Sequence, residues 1–408
     1  MGEGGPALKL SADARRILAV QALRAFAYGL GSVLIGVSLA RRGLSGAEVG
    51  GVLSALLAGA ALTSVVLARF GDRLGRRRSY VTLLVAMAGA GTVFALTGWL
   101  PALILVALTG TVSTDVVESG PFTSLEQAML PHATDREPAR LFGVYNTIAT
   151  LAGALGALAA GGPTLLHTGS AQWLLAYPVA AALALPLAAG LSPKVELGRE
   201  TAGARLQPGT GSVSKSEPLP PLHRSRGIVY RLAGLFALDS LGGGFVVQAF
   251  IAYWFARKFG TSAATLGVVF FAVAILQAAS FQAAIRLAER IGLLRTMVFT
   301  HLPSNVLLAV VPLAPNQGTA IALLLGRFAL SQMDVPTRQA YVVGVVDPSE
   351  RTAAAATTNT ARYVTRPVGP LLAAPLTQVG LGIPFVVGGA IKCVYDVGLY
   401  ALFRRVKL

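Results

Sequence analysis

One cysteine, Cys393, stands alone among 408 residues, and a lone thiol excludes an intramolecular disulfide framework. Charge is scarce too: 13% of residues are charged, and acids number 18 against 34 bases. A water-soluble chain of this length needs more charge to cover its surface. The four histidines, His132, His167, His223 and His301, read as loop or helix-end residues, so no His or Cys is expected to join the acids of the apolar segments. No soft-metal site is assigned; an all-carboxylate site for a hard cation stays open. No phosphate-binding loop is present, which disfavours ATP-driven work and leaves no cofactor to assign. No Ser-His-Asp or metal-hydrolase arrangement appears, and the chain does not read as an enzyme.

Long apolar runs are what the sequence does contain. Hydrophobic residues make up 54% of the chain, and mean hydropathy is +0.65. A bilayer core of about 30 Å takes roughly 20 apolar residues per helix. Twelve runs qualify: 17–40, 47–70, 79–99, 101–129, 140–162, 171–191, 229–256, 263–287, 296–313, 317–342, 352–376 and 383–403. The fold class expected is an all-α polytopic membrane protein with twelve transmembrane helices. Residues 192–228 carry Pro193, Pro208, Pro218, Pro220 and Pro221 with several serines, and read as a solvated linker. The linker divides an N-terminal six-helix bundle, 1–191, from a C-terminal six-helix bundle, 229–408. The opening residues do not read as a cleavable signal, and the first run is long enough to stay as a span.

A net charge of +16 invites a nucleic-acid partner, but its placement excludes one. The bases gather in the termini, the linker and alternate loops, without interleaved aromatics. On the other side stand Arg41, Arg42, Arg257 and Lys258. Basic loops stay in the cytoplasm, so both termini and the linker are expected there, with the lipid bilayer around the spans.

Between the second and third runs lies Gly71-Asp72-Arg73-Leu74-Gly75-Arg76-Arg77-Arg78. A weaker copy sits 217 residues later, with Glu289 at the place of Asp72 and Gly260 matching Gly43. Further on, Gln127-Ala128 pairs with Gln339-Ala340 and Asn146-Thr147 with Asn359-Thr360. Repeated halves in one orientation imply a pseudo-two-fold axis along the membrane normal.

Taken together, the chain resembles the major facilitator superfamily. The family's loop signature after helix 2 usually reads Gly-x-x-x-Asp-Arg-x-Gly-Arg-Arg; Asp72, Arg73, Gly75, Arg76 and Arg77 fit it, while Ala68 replaces the first glycine. The resemblance implies two pseudo-symmetric six-helix bundles that rock about a central small-molecule site. It implies a cytoplasmic gate at Asp72, Arg73, Gly75 and Arg76, where the carboxylate meets the amino end of helix 11, and by the repeat at Glu289. It also implies that helices 1, 4, 7 and 10 line the cavity.

An ionisable residue inside a span costs several kcal/mol unless paired or hydrated, and this chain has many. Run 1 holds Arg24; run 4 holds Asp115, Glu118 and Glu126; run 7 holds Asp239; run 10 holds Arg327, Asp334 and Arg338; run 11 holds Arg362 and Arg366. Lys392 and Asp396 in run 12, one turn apart, are expected to pair with each other. The helical repeat puts Asp115, Glu118 and Glu126 on a shared face, and likewise Arg327 and Asp334. Repeat matching sets Asp115 against Arg327 and Glu126 against Arg338. Glu126 and Arg338 are expected to form a gate pair between the halves in the outward-open state, although pairing of each charge within its own half stays open.

A carboxylate that moves between a dry setting and an arginine changes its hold on a proton. Asp115, Glu118 and then Asp239 are the coupling candidates. Guanidinium forks suit carboxylate or phosphate, so Arg362 and Arg366 lean toward an anionic solute. Arg24, Tyr28, Asn146, Gln248, Arg327 and Asp334 complete the candidate substrate-binding residues. The expected protein is a proton-coupled transporter of a small charged solute, monomeric, in a bacterial-type inner membrane. Proton-coupled drug efflux and a transporter-like ligand sensor are the alternatives.

Overall fold

A computed structural model describes residues 10–113, 120–130, 138–196, 222–347 and 350–406, without the side chains of Ala68, Asp72, Arg73, Ala128, 138–143, Val343 and Thr352. The described chain is helical, and its helices follow the twelve runs. They are α1 (Ala12–Arg41), α2 (Gly46–Leu74), α3 (Arg76–Leu96), α4a (Leu100–Ala107), α4b (Pro121–Met129), α5 (Pro138–Ala159) and α6 (Ala176–Ala189). After the linker come α7a (Arg226–Phe245), α7b (Gln248–Phe259), α8 (Ala263–Ile291), α9 (Leu293–Val310), α10a (Gln317–Ser331), α10b (Asp334–Gly344), α11a (Arg351–Thr365), α11b (Val368–Val379) and α12 (Ile383–Phe403).

Among the described residues, nine of the spans are long and apolar enough to cross a bilayer by length and composition. The remaining three, spans 4, 10 and 11, are interrupted. Pro121 opens α4b, Pro336 sits in the first turn of α10b, and Pro367 caps α11b. Proline lacks the N–H that would continue the preceding turn. Span 7 also breaks, at Val246 and Val247, just beyond the glycine run 242–244. Half-helices of this kind are tolerated at membrane depth where protein or water satisfies the freed backbone.

The repeat is written into the turns. Gly43 (φ +73°) and Gly260 (φ +64°) end α1 and α7b; Gly75 (φ +88°) and Gly292 (φ +85°) carry α2 into α3 and α8 into α9. A side chain in that left-handed region strains the backbone, so glycine is required at all four. Two carboxylates outside the spans cap helices. Glu196 accepts the backbone N–H groups of Arg76 (2.8 Å) and Arg77 (3.1 Å) at the start of α3. Glu350 accepts those of His223, Arg224 and Ser225, at 2.6–2.9 Å, at the start of α7a. Each fills donors that a helix start leaves free. The His223 N–H leads the three in pulling the Glu350 carboxyl from an ordinary 4.5 to about 2.

Each half packs on itself through α1 with α5, α3 with α6, α7a with α11a and α9 with α12. The halves meet through α1 with α7b, α2 with α11b and α5 with α8. These contacts belong to one face of the molecule, that of the Gly43 and Gly260 turns. There Gln248 Nε2 donates to Ser32 Oγ (2.7 Å), Tyr253 Oη to the Leu44 carbonyl (3.2 Å) and Ser54 Oγ to the Pro367 carbonyl (2.5 Å). Backbones approach closely: a Cβ on Gly36 would fall 2.1 Å from the Ala249 carbonyl oxygen, and one on Gly267 2.5 Å from that of Ala157. Small residues allow this contact where no hydrophobic force drives helices together. Large apolar side chains, Leu62, Leu96, Leu105 and Val394 among them, are exposed around the outside, a surface suited to lipid rather than water.

Candidate functional site

In the N-terminal half a single carboxylate gathers every partner it can hold. Glu126, on α4b, is 0% exposed. Arg24 Nη2 of α1 donates to its Oε2 (2.7 Å), Tyr80 of α3 donates to Oε1 (2.7 Å), and the Tyr145 hydroxyl of α5 donates to Oε2. The Arg24 guanidinium also bonds Gln21 and lies 5.1 Å from the ring centres of Tyr28 and Phe122. Tyr28 spends its hydroxyl on the Thr111 carbonyl (2.8 Å). A buried ion pair offsets its desolvation only when its remaining lone pairs and protons are matched, and here they nearly all are.

The C-terminal half is built otherwise. Asp239 of α7a receives the Lys392 ammonium of α12 and lies 3.6 Å from Arg338 Nη1 of α10b. Arg338 is held more closely by Asp334, 2.8 Å away at the start of its own helix. His301 Nδ1 of α9 stands 2.9 Å from Asp396 Oδ1 of α12, and its Nε2 stands 3.8 Å from Asp239 Oδ1. Asn305 Nδ2 donates to Asp396 Oδ2 (2.8 Å). Four helices thus share one network.

Two expectations are corrected by it. Lys392 and Asp396 do not pair along their helix; each reaches a different neighbour, because burial on α12 turns both toward α7a and α9. His301 is not a bystander at a helix end: it lies inside α9 and joins the acids. The sequence held a signal for this, since a histidine inside the apolar run 296–313 needs a partner.

Other candidates fall as follows. Arg327, near the end of α10a, is 8% exposed; its Nε and Nη1 have no hydrogen-bond partner among the described residues, and its guanidinium lies 4.5 Å from the Phe328 ring centre. A buried cation so under-used is a ready place for an anion. Arg362 ends α11a and Arg366 stands at the break before Pro367, both partly buried, and Arg362 lies within electrostatic reach of Asp239. The repeat-matched polar pairs, Gln127 with Gln339 and Asn146 with Asn359, are all exposed. Gln248 is spent on Ser32 at the closed face. Asp115 and Glu118 lie outside the described residues, as do the side chains of Asp72 and Arg73. Arg76 is buried at the start of α3, and Glu289 lines an open groove of about 310 Å³ with Leu293 and Pro336. Glu126 and Arg338 are not together in this conformation; each is held within its own half.

A family model described as the Major Facilitator Superfamily matches residues 17–370. An uncharacterized membrane protein of Saccharomyces cerevisiae, YJR124C, is 26% identical over 425 residues, covering 97% of this chain and 95% of that one. Among solved structures, the nucleoside transporter NupG superposes with a TM-score of 0.73 at 13% identity, covering 97% of this chain and 100% of that one. The inward-open xylose transporter XylE from E. coli gives a TM-score of 0.69 at 15% identity, covering 96% of each chain. A bacterial homologue of the human lysosomal transporter Spinster, inward-facing and occupied, gives 0.69 at 13%, again covering 96% of each. Identities this low speak to fold. The yeast relative means that the likeness does not tie the chain to a bacterial membrane.

Proposed function

The chain belongs to the major facilitator superfamily, and from that premise we propose that it is a secondary transporter, not an enzyme, that moves a small charged solute by alternating access coupled to protons. The observation that carries the reading is that, among the described residues, the principal contacts between the halves gather at one face. They are joined at the face of the Gly43 and Gly260 turns, while exposed polar side chains, Gln127, Asn146, Gln339 and Asn359, lie deeper in the spans. Polar groups of that kind avoid lipid, so they face a wet cleft between the halves. With basic loops inside, the closed face is external and this conformation opens to the cytoplasm, as XylE does in its inward-open structure and the Spinster homologue in its inward-facing one.

The solute is read as an anion. The unpartnered nitrogens of Arg327, with Arg362 and Arg366 on the neighbouring span, offer forks that match a carboxylate or phosphate. Asp239, on a helix that the family resemblance sets beside the cavity and close to Lys392 and Arg338, is a coupling candidate; Asp115 and Glu118 remain candidates from sequence. Asp72 and Arg73, with Gly75 and Arg76, are read as the gate that engages when the cytoplasmic side closes, and Glu126 and Arg338 as residues that approach one another there. The protein is read as a monomer with both termini in the cytoplasm.

Reconstitution in liposomes with an imposed pH gradient, and a panel of organic anions and lipophilic cations, tests this. Saturable anion uptake driven by the gradient, reduced at least about tenfold by Arg327→Met, is the expected result. Movement of lipophilic cations instead would favour drug efflux. Saturable binding without flux would sink the transport reading in favour of a sensor.

A further inference from the structure

The next step rests on the transport reading and adds where the proton is held. We propose that His301 and Asp396 share the coupled proton inside the C-terminal half, and that Asp239 takes it from the far side of the imidazole. His301 is 3% exposed, and both of its ring nitrogens face carboxylates, Nδ1 at 2.9 Å from Asp396 and Nε2 at 3.8 Å from Asp239. A neutral imidazole has one N–H. A single N–H serves one acid, so a hydrogen bond to Asp239 as well, formed by closing the 3.8 Å gap, takes a second proton on the ring. The Asn305 amide donates to Asp396 Oδ2, which makes that oxygen an acceptor. A proton held by Asp396 thus sits on Oδ1, against the ring.

The groups around this pair come from every packed helix. From α12, Tyr395 presents its ring edge to His301 at 5.8 Å between centres, and Lys392 bonds Asp239. From α10b, Arg338 faces Asp239 and Asp334. Arg327 of α10a and Arg362 of α11a lie within electrostatic reach of Asp239. No charged residue of α8 contacts the ring among the described residues. Cations thus crowd Asp239, while among the described residues Asp396 bonds His301 and Asn305.

Transfer is a plain exchange. The Nε2–H bond of the imidazolium breaks and an O–H bond forms on Asp239, leaving a neutral ring and a neutral acid. At 3.8 Å the ring stands a small tilt beyond hydrogen-bond reach. The change is felt by α7, which is tightly seated there: a Cβ on Gly242 would fall 2.7 Å from Lys392 Cγ, and one on Gly244 2.3 Å from the Arg366 carbonyl oxygen. Beyond the break at Val246, the same span becomes α7b, which bonds Leu44 at the closed face. Charge at Asp239 therefore acts on the span that seals one side.

The full chain in lipid nanodiscs, carrying isotope-labelled histidine, gives four imidazole signals by magnetic resonance, and His301→Gln identifies which belongs to His301. We expect that signal to change protonation between about pH 5 and pH 9. Asp396→Asn should lower its midpoint by more than about one pH unit, because a carboxylate that favours the imidazolium is gone. Asn305→Ala should raise it, because Asp396 loses a donor to its ionised form. The other three histidines should not move. A His301 signal fixed in one form across that range, or midpoints that shift together in both variants, would overturn the proposal. Gradient-driven solute movement with a fixed His301 signal would end the relay and leave transport standing. A titrating His301 in a protein that moves no solute would end the transport reading alone.

Discussion

The two halves of this molecule bury charge in opposite ways. Among the described residues of the N-terminal half, Glu126 and Arg24 are held together by tyrosines, an amide and aromatic faces, with Arg24 Nε left unpartnered. In the C-terminal half, Asp239, Asp334 and Asp396 are shared among Lys392, Arg338 and His301, with Arg327 under-used beside them. A saturated cage has one good arrangement; a shared network has several of similar energy. The first suits a fixed frame and the second a part that changes state.

The contrast is open to direct attack. Glu126→Gln strands the Arg24 guanidinium in a dry cage, and should cost about 3–5 kcal/mol of stability in thermal unfolding in detergent. Asp239→Asn should cost less, about 1–3 kcal/mol, because Arg338 keeps Asp334 and the freed Lys392 lies one turn from Asp396. If Asp239→Asn proves the more damaging of the two, the division into frame and moving part is wrong.

The seam between the halves gives the next largest effect. Gly36→Val drives a side chain into the Ala249 carbonyl, which should favour the state open at that face. In a Cys393→Ser background, the rate at which an impermeant maleimide reaches Ser54→Cys should rise about tenfold, equivalent to about 1.4 kcal/mol in the balance of states. An unchanged rate would mean that the seam does not set that balance.

The smallest effect concerns the caps. Glu350 is held near 2 by three N–H donors, below its ordinary 4.5. Its help to the start of α7a is therefore complete above about pH 4.5 and fades as pH falls toward about 2. Amide exchange at residues 223–225, corrected for the intrinsic rate, should quicken on acidification from about pH 5 to about pH 3. In Glu350→Gln it should be fast and flat over the same range. A wild-type response equally flat would remove the carboxylate's role.

Much of this architecture was legible beforehand because it rests on local rules. Gly43, Gly75, Gly260 and Gly292 marked turns that only glycine makes without strain, and their spacing gave away the repeat. Length and apolarity gave the spans, and the structure shows Pro121, Pro336 and Pro367 at the breaks of spans 4, 10 and 11. The charge partners were harder. Lys392 and Asp396 sit at a spacing that favours pairing on an isolated helix, yet tertiary neighbours won both. His301 looked peripheral because it stands near the start of run 9, and packing against α7a and α12 brings it to Asp239. Repeat matching fixed depth but not rotation about the helix axis, so it set Glu126 opposite Arg338 without telling which way either points.

Glu196 is tied to α3 of the first half and Glu350 fastens the start of α7a within the second, so each end of the linker is anchored on the side it adjoins. Two separate polypeptides, severed within residues 197–221, should still recognise each other through the seam of α1, α2 and α5 with α7b, α11b and α8. A gene split at that point would then encode a working heterodimer, much as an unfused ancestor of the duplicated halves would have done.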